Sequence, residues 1–132
     1  MGIAQGDITA EIQSTKDAVV FEKYDDNGIK LFTVEVCNGV ANGNYTEFYA
    51  DGSVRETRTY LQGMLHGESY RYSPEGKLIA QASFENNQKS GTWIVWNQFT
   101  EQKVVFTYVD GIKTGASYFF DKDGLILDTV LY

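Results

Sequence analysis

Glycine recurs along this chain at a fixed interval of 24 residues, and that ladder restricts the fold more than any other feature. Gly43, Gly67, Gly91 and Gly115 make one series; Gly28, Gly52, Gly76, Thr100 and Gly124 a second; Gly39, Gly63, Asn87 and Gly111 a third, with the same step throughout (67 − 43 = 24). Two aromatic-rich columns keep that step: Tyr24, Phe48, Tyr72, Trp96, Phe120, and Val36, Tyr60, Phe84, Tyr108, Tyr132. A constant period of this length marks a repeat architecture in which each copy packs on its neighbours. The register divides one repeat domain, residues 1–132, into a leading half copy over 1–18 and copies over 19–42, 43–66, 67–90, 91–114 and 115–132.

Inside each copy the period falls to two. From Val54 to Tyr60, Thr57 and Thr59 alternate with Arg58 and Tyr60, the pattern of a strand with two distinct faces. One face collects Val34, Arg58, Ala82, Phe106 and Val130 beside the column ending in Tyr132 and is mostly apolar. The other collects Thr33, Thr57, Gln81, Val105 and Thr129 with Glu35, Thr59, Ser83, Thr107 and Leu131, and is polar and threonine-rich. Two turn sites separate the strands of each copy. Asn27-Gly28, Asp51-Gly52, Glu75-Gly76 and Asp123-Gly124 form one; Asn38-Gly39, Gln62-Gly63, Asn86-Asn87 and Asp110-Gly111 form the other. Asn-Gly and Asp-Gly supply the left-handed backbone that tight hairpins demand, so successive strands pair antiparallel. Thr100 breaks the glycine series, which predicts a different turn over 97–101. Ile8, Ala10 and Ile12 extend the apolar columns backwards and predict a leading strand over 7–13. The expected fold is all-β: a single elongated, twisted antiparallel β-meander of tandem 24-residue hairpin repeats, with about eleven strands.

Composition agrees with this reading and narrows the partners. Nine Tyr, eight Phe and two Trp favour strands over helices. A net charge of −7 opposes both the phosphate backbone of nucleic acids and anionic membrane surfaces. The single cysteine, Cys37, cannot close an internal disulfide. No apolar run approaches the roughly 18 residues of a spanning helix. The chain is thus expected to be soluble, with its compartment left open between the cytoplasm and, with a signal removed, the envelope.

Few residues are equipped for chemistry. His66 shares a turn column with Asn42, Ser90 and Thr114 and is read as a solvated turn histidine; a pairing with Cys37 lacks a third ligand or orienting group. No catalytic, cofactor-binding or metal-binding residue is assigned. The acidic turns around Asp25-Asp26 and Asp121-Asp123 resemble calcium loops but lack the terminal bidentate glutamate, and a hairpin turn accounts for them without an ion. Asp25, Asp26, Asp51, Glu75, Asp121 and Asp123 fall at equivalent turns and are expected to line one acidic rim, either solvated or serving as a landing strip for a basic partner protein. The aromatic columns are expected to stack copy on copy. A lone sheet has no second layer to cover its apolar face, so either the sheet curls on itself or that face binds a partner, including a second copy of the chain. The last strand, from Leu125 to Tyr132, carries few charges to protect its edge, which offers a second route to self-association.

The segment Gly43-x-Tyr-x-x-Phe-Tyr-x-Asp-Gly52, followed by a polar strand ending Tyr60-Leu61-Gln62-Gly63-Met64-Leu65-His66-Gly67, resembles the bacterial variant of the MORN repeat, found in proteins described as YwqK-like antitoxin components. The resemblance extends from Val19 to Tyr132. It implies an interaction or scaffold module rather than an enzyme, with binding and neutralisation of a toxin protein as the specific role in some relatives and membrane association as the alternative.

Overall fold

The computed structural model describes residues 18–132, and places them in one open antiparallel sheet with no helix among the described residues. The first half comprises β1 (Ala18–Tyr24), β2 (Lys30–Cys37), β3 (Val40–Phe48), β4 (Val54–Leu61), β5 (Met64–Leu65) and β6 (Gly67–Tyr72). The second comprises β7 (Leu78–Glu85), β8 (Gln88–Lys89), β9 (Gly91–Trp96), β10 (Lys103–Val109), β11 (Ile112–Phe120) and β12 (Ile126–Leu131). The short β5 and β8 are the tips of β6 and β9, cut off at His66 and Ser90, so the sheet has ten lanes in strict sequence order: β1-β2-β3-β4-β6-β7-β9-β10-β11-β12. The meander is therefore as expected, while the leading strand over 7–13 lies outside the described residues. Ten lanes at about 4.8 Å make a sheet roughly 45 Å across.

The two turn families take different geometries. At one end of the sheet Asn38 and Gly39, Gln62 and Gly63, Asn86 and Asn87, and Asp110 and Gly111 all have positive φ, between 50° and 84°. Two consecutive left-handed residues define the type I′ turn, whose twist matches that of the strands it joins. At the other end the turns open with a bond between residues four apart, as from Asp25 N to Ile29 O, and close with the N–H of Gly28, Gly52, Gly76 or Gly124 donating three residues back.

The departure at Thr100 shows why the period survives it. In four of these hairpins the ladder slips by one place after the turn, leaving Leu31, Arg55, Ile79 and Leu127 without a cross-strand partner. Around Thr100 the turn is one residue longer, from Asn97 N to Gln102 O, and the β9–β10 ladder runs without a slip. The residue gained in the loop is the residue lost from the bulge, so the register downstream is unchanged. Glu101 takes the positive φ (62°) that glycine supplies elsewhere.

The remaining glycine ladder marks a second bulge. Between Val36↔Ala41 and Val34↔Tyr45 the β3 strand carries two extra residues around Gly43, whose φ is 121°. Gly115 does the same in β11, and Gly67 and Gly91 follow the breaks before β6 and β9. These bulges bend each type I′ tip away from its strand and stack it on the next. Gly63 N donates to Ala41 O at 2.7 Å, Asn87 N to Leu65 O at 2.9 Å and Gly111 N to Lys89 O at 2.9 Å.

Strand pairing assigns the two faces. Residues directly opposite each other share a face, so Phe21, Phe32, Val34, Tyr45, Arg58, Tyr60, Ala82, Phe84, Trp93, Phe106 and Val130 lie on one side. Thr33, Thr46, Thr57, Gln81, Val105 and Thr129 lie on the other. The apolar and threonine faces read from the sequence are both present. The column Tyr24, Phe48, Tyr72, Trp96, Phe120 sits on the threonine face, at the end nearest the longer turns. No second layer covers either side among the described residues, and Val34 is the only apolar residue there that counts as buried.

Candidate functional site

Aromatic stacking on the apolar face is continuous within two groups and interrupted between them. Phe21, Phe32, Tyr45 and Tyr60 form one chain, with ring centroids 5.2 to 6.2 Å apart. Phe84, Trp93, Phe106 and Tyr108 form the other, at 5.2 to 6.2 Å. Between them the repeat columns switch residue type. Ser69 stands where other copies carry Tyr45 and Trp93, and Ala82 stands where others carry Val34 and Phe106. These small side chains leave a depression of about 480 Å³, floored by Ser69, Ala80 and Ala82 and walled on one side by Phe84, Trp93 and Val95.

The opposite wall is charged. Glu56, 8% exposed, accepts hydrogen bonds from Arg71 Nε at 3.0 Å and Nη2 at 2.6 Å, and from Arg58 Nε. Arg58 also lies over the Tyr45 ring, 4.8 Å from its centroid. Burial pushes the Glu56 carboxyl up, but donation from the two guanidinium groups outweighs it and holds the group below its ordinary range. Burial works against the Arg58 charge as well, and the contacts with Tyr60 and Glu56 overcome it, so that guanidinium binds its proton more tightly than usual. Next to this cluster the Tyr45 hydroxyl, half-buried and donating to Glu47 at 2.8 Å, is pushed up to about 12.

The bent tips add cations over the second aromatic group. Lys89 Nζ sits 5.4 Å from the Trp93 centroid and 5.1 Å from Tyr108; Lys113 Nζ sits 4.5 Å from Phe106 and 5.3 Å from Tyr132. The Trp93 indole N–H is shared between the carbonyls of Ser83 and Ser90, at 3.1 and 3.2 Å, which fixes the ring as a wall. Ser117, in the same column as Ser69, is buried and donates to Tyr132 Oη at 3.0 Å. The Ser69 hydroxyl has no hydrogen-bond partner among the described residues.

The acidic rim residues lie at the longer turns, and half of them have a local task. Asp25 Oδ1 accepts from the backbone N–H of Asn27 and Ile29, Asp121 Oδ1 from Asp123 and Leu125, and Asp51 Oδ1 from the N–H and hydroxyl of Ser53. Asp51 is held below its ordinary range by those Ser53 bonds, the hydroxyl first. The side chains of Asp26, Glu75 and Asp123 make no such bond among the described residues. Lys77, which bridges to Glu101 at 3.8 Å, adds positive charge to the same end. No group of three His, Cys, Asp or Glu side chains suited to a metal ion occurs among the described residues. His66 is half-buried rather than solvated: it occupies the break between β5 and β6, and its Nδ1 is enclosed with no hydrogen-bond partner among the described residues. Cys37 ends β2, opposite Ala18 and Val40.

A family model described as MORN repeat variant matches residues 41–62 and 65–86. The two matches begin 24 residues apart (65 − 41 = 24), the step of the glycine ladders; β4 lies within the first, and of the depression's lining Trp93 and Val95 fall outside both. No curated protein matches the chain. These two segments are therefore similar to the MORN repeat variant, and MORN repeats are in general protein- or membrane-interaction modules. No helix among the described residues is long and apolar enough to cross a membrane.

Proposed function

We propose that the chain is a non-catalytic protein-interaction module that binds its partner on the apolar face of the sheet, in the manner of an antitoxin or immunity protein that occupies another protein's surface. The observation that carries this reading is two groups of stacked aromatic side chains on a single-layer sheet, with no covering layer among the described residues. Uncovered apolar surface rimmed by polar groups is a common mark of an interface. Rigid aromatic groups and arginines, which dominate this face, are also the residue types that anchor protein contacts. The acidic rim contributes to this picture chiefly through its turns, since Asp25, Asp51 and Asp121 hold backbone N–H groups.

Adjacent residues on opposite faces provide the test. Phe119 and Tyr118 are equally accessible, at 37% and 42%, but Phe119 belongs to the apolar face and Tyr118 to the threonine face. A tagged chain recovered from its native cell with a stoichiometric partner should lose that partner on Phe119→Glu and keep it on Tyr118→Glu. Equal loss from both variants, or loss from Tyr118→Glu alone, rejects the apolar face as the binding surface.

A further inference from the structure

We infer that the depression between the Arg58–Arg71 pair and the Trp93 wall is the anchor site of that contact, and that it takes from the partner protein a large apolar or aromatic side chain adjoining a carboxylate. The inference rests on the reading above and specifies the partner's chemistry.

Space is the first argument. The depression measures about 480 Å³, within the range of roughly 300 to 1,000 Å³ in which protein sites enclose ligand groups. It exists because Ser69 and Ala82 replace the large residues that the same columns carry in neighbouring copies, so a side chain from outside would restore the interrupted row of stacked rings. Phe84, Trp93 and Val95 line it with apolar side chains that suit an apolar group.

Charge is the second argument. Two guanidinium groups face the depression and one carboxylate, Glu56, balances them, which leaves one positive charge in a chain whose net charge is −7. Arg71 uses Nε and Nη2 on Glu56; its Nη1 makes no hydrogen bond among the described residues, and its side chain is 56% exposed. An arginine with one edge occupied and the other open is prepared to take a second carboxylate. Lys89 and Lys113, over the adjoining aromatic group, extend the positive field along the same face. Ser69, only 8% exposed, lines this floor, and its enclosed hydroxyl has no partner among the described residues.

The test titrates the isotope-labelled full chain with N-acetyltryptophan, which joins an indole to a carboxylate, and with N-acetyltryptophanamide, which keeps the ring and removes the charge. Saturable amide shifts are expected at Ser69, Arg71, Ala82 and Trp93, with the carboxylate probe bound at least about fivefold more tightly at low salt. Arg71→Gln should erase that difference and leave the amide probe bound. Ala82→Phe should abolish both while the remaining spectrum stays intact; if it disturbs the sheet, Ala82→Val should weaken both. Equal binding of the two probes, shifts scattered over both faces, or an unchanged preference in Arg71→Gln would overturn the inference. So would binding to phosphatidylserine vesicles that Arg71→Gln abolishes, with no response to either probe. A partner lost by Phe119→Glu but retained by Ala82→Phe would sink the anchor site alone and leave the apolar face as the interface.

Discussion

Arg71 grips Glu56 across the boundary between two copies of the repeat, with Nη2 2.6 Å from Oε1, so that a single ion pair ties the β3–β4 hairpin to the one that follows it. Glu56 is nearly buried, and its removal leaves two guanidinium groups facing each other with nothing between them. Glu56→Ala is expected to destabilise the sheet by about 2 to 3 kcal/mol in a denaturant titration, less than a fully enclosed pair because Arg71 is half in water. The pH dependence follows from the lowered carboxyl. Its folded-state pKa lies below the ordinary value of 4.5, so the stability it contributes is complete above that value and is lost as pH falls through the folded pKa. Glu56→Gln should flatten the acid limb of the stability curve; an unchanged limb would show that other carboxylates control it.

Tyr45 gives the opposite sign at the alkaline end. Its hydroxyl is pushed up to about 12 by burial and by donation to Glu47, so its contribution is complete below an ordinary tyrosine pKa near 10 and is lost as pH rises toward 12. Ultraviolet titration should show a late phenol ionisation at about pH 12, and Tyr45→Phe should remove that step. A titration curve identical for both proteins would contradict the assignment.

Among the glycines, position decides the cost of replacement. A Cβ at Gly43 would run into the Glu35 side chain, with its Cβ 3.0 Å away, and a φ of 121° is closed to other residues. Glu35 also accepts from Asn44 N at 2.5 Å, a bond that must break for it to move. Gly43→Ala is expected to cost about 2 to 4 kcal/mol by chemical denaturation. At Gly39 nothing lies within 4 Å and Asn87 occupies the equivalent place with φ 71°, so Gly39→Asn should cost under about 1 kcal/mol. Similar losses for the two variants would show that the bulge at Gly43 is not the constraint.

Glu101 carries a left-handed backbone, φ 62°, with only an exposed bridge to Lys77 in its favour. Replacement by asparagine, which tolerates that conformation, should stabilise the protein by a few tenths up to about 1 kcal/mol, since the bridge it gives up is worth little. A loss above about 1 kcal/mol would mean that the Lys77 contact matters more than the strain.

Much of this molecule is legible in its sequence because the period and the turn chemistry act locally. Asn-Gly and Asp-Gly pairs mark where the chain turns, as type I′ at Asn38-Gly39 and Asp110-Gly111 and as the longer turn at Asn27-Gly28, Asp51-Gly52 and Asp123-Gly124, and alternation from Thr57 to Tyr60 separates the faces before any pairing is known. The bulges escaped, because nothing in the spacing says that Leu31 rather than Lys30 loses its partner, and a single slip reverses the face of every residue beyond it. That is why the spacing left the column from Tyr24 to Phe120 unassigned. The depression did leave a signal in the substitution of Ser69 and Ala82 into columns of large residues. Its charged wall left none, since Glu56 and Arg71 come from different strands and meet only through the β4–β6 register.

An interface on the apolar face requires that face to be open in the free chain and covered in the complex. Radical footprinting of the chain alone and with its partner measures this directly, comparing Phe119 and Trp93 on the apolar face with Tyr118 and Trp96 on the threonine face. Phe119 and Tyr118 should label alike in the free chain, in keeping with their accessibilities of 37% and 42%, and only Phe119 and Trp93 should become protected in the complex. Protection of Phe119 already in the free chain, or protection of Tyr118 and Trp96 in the complex, would contradict it.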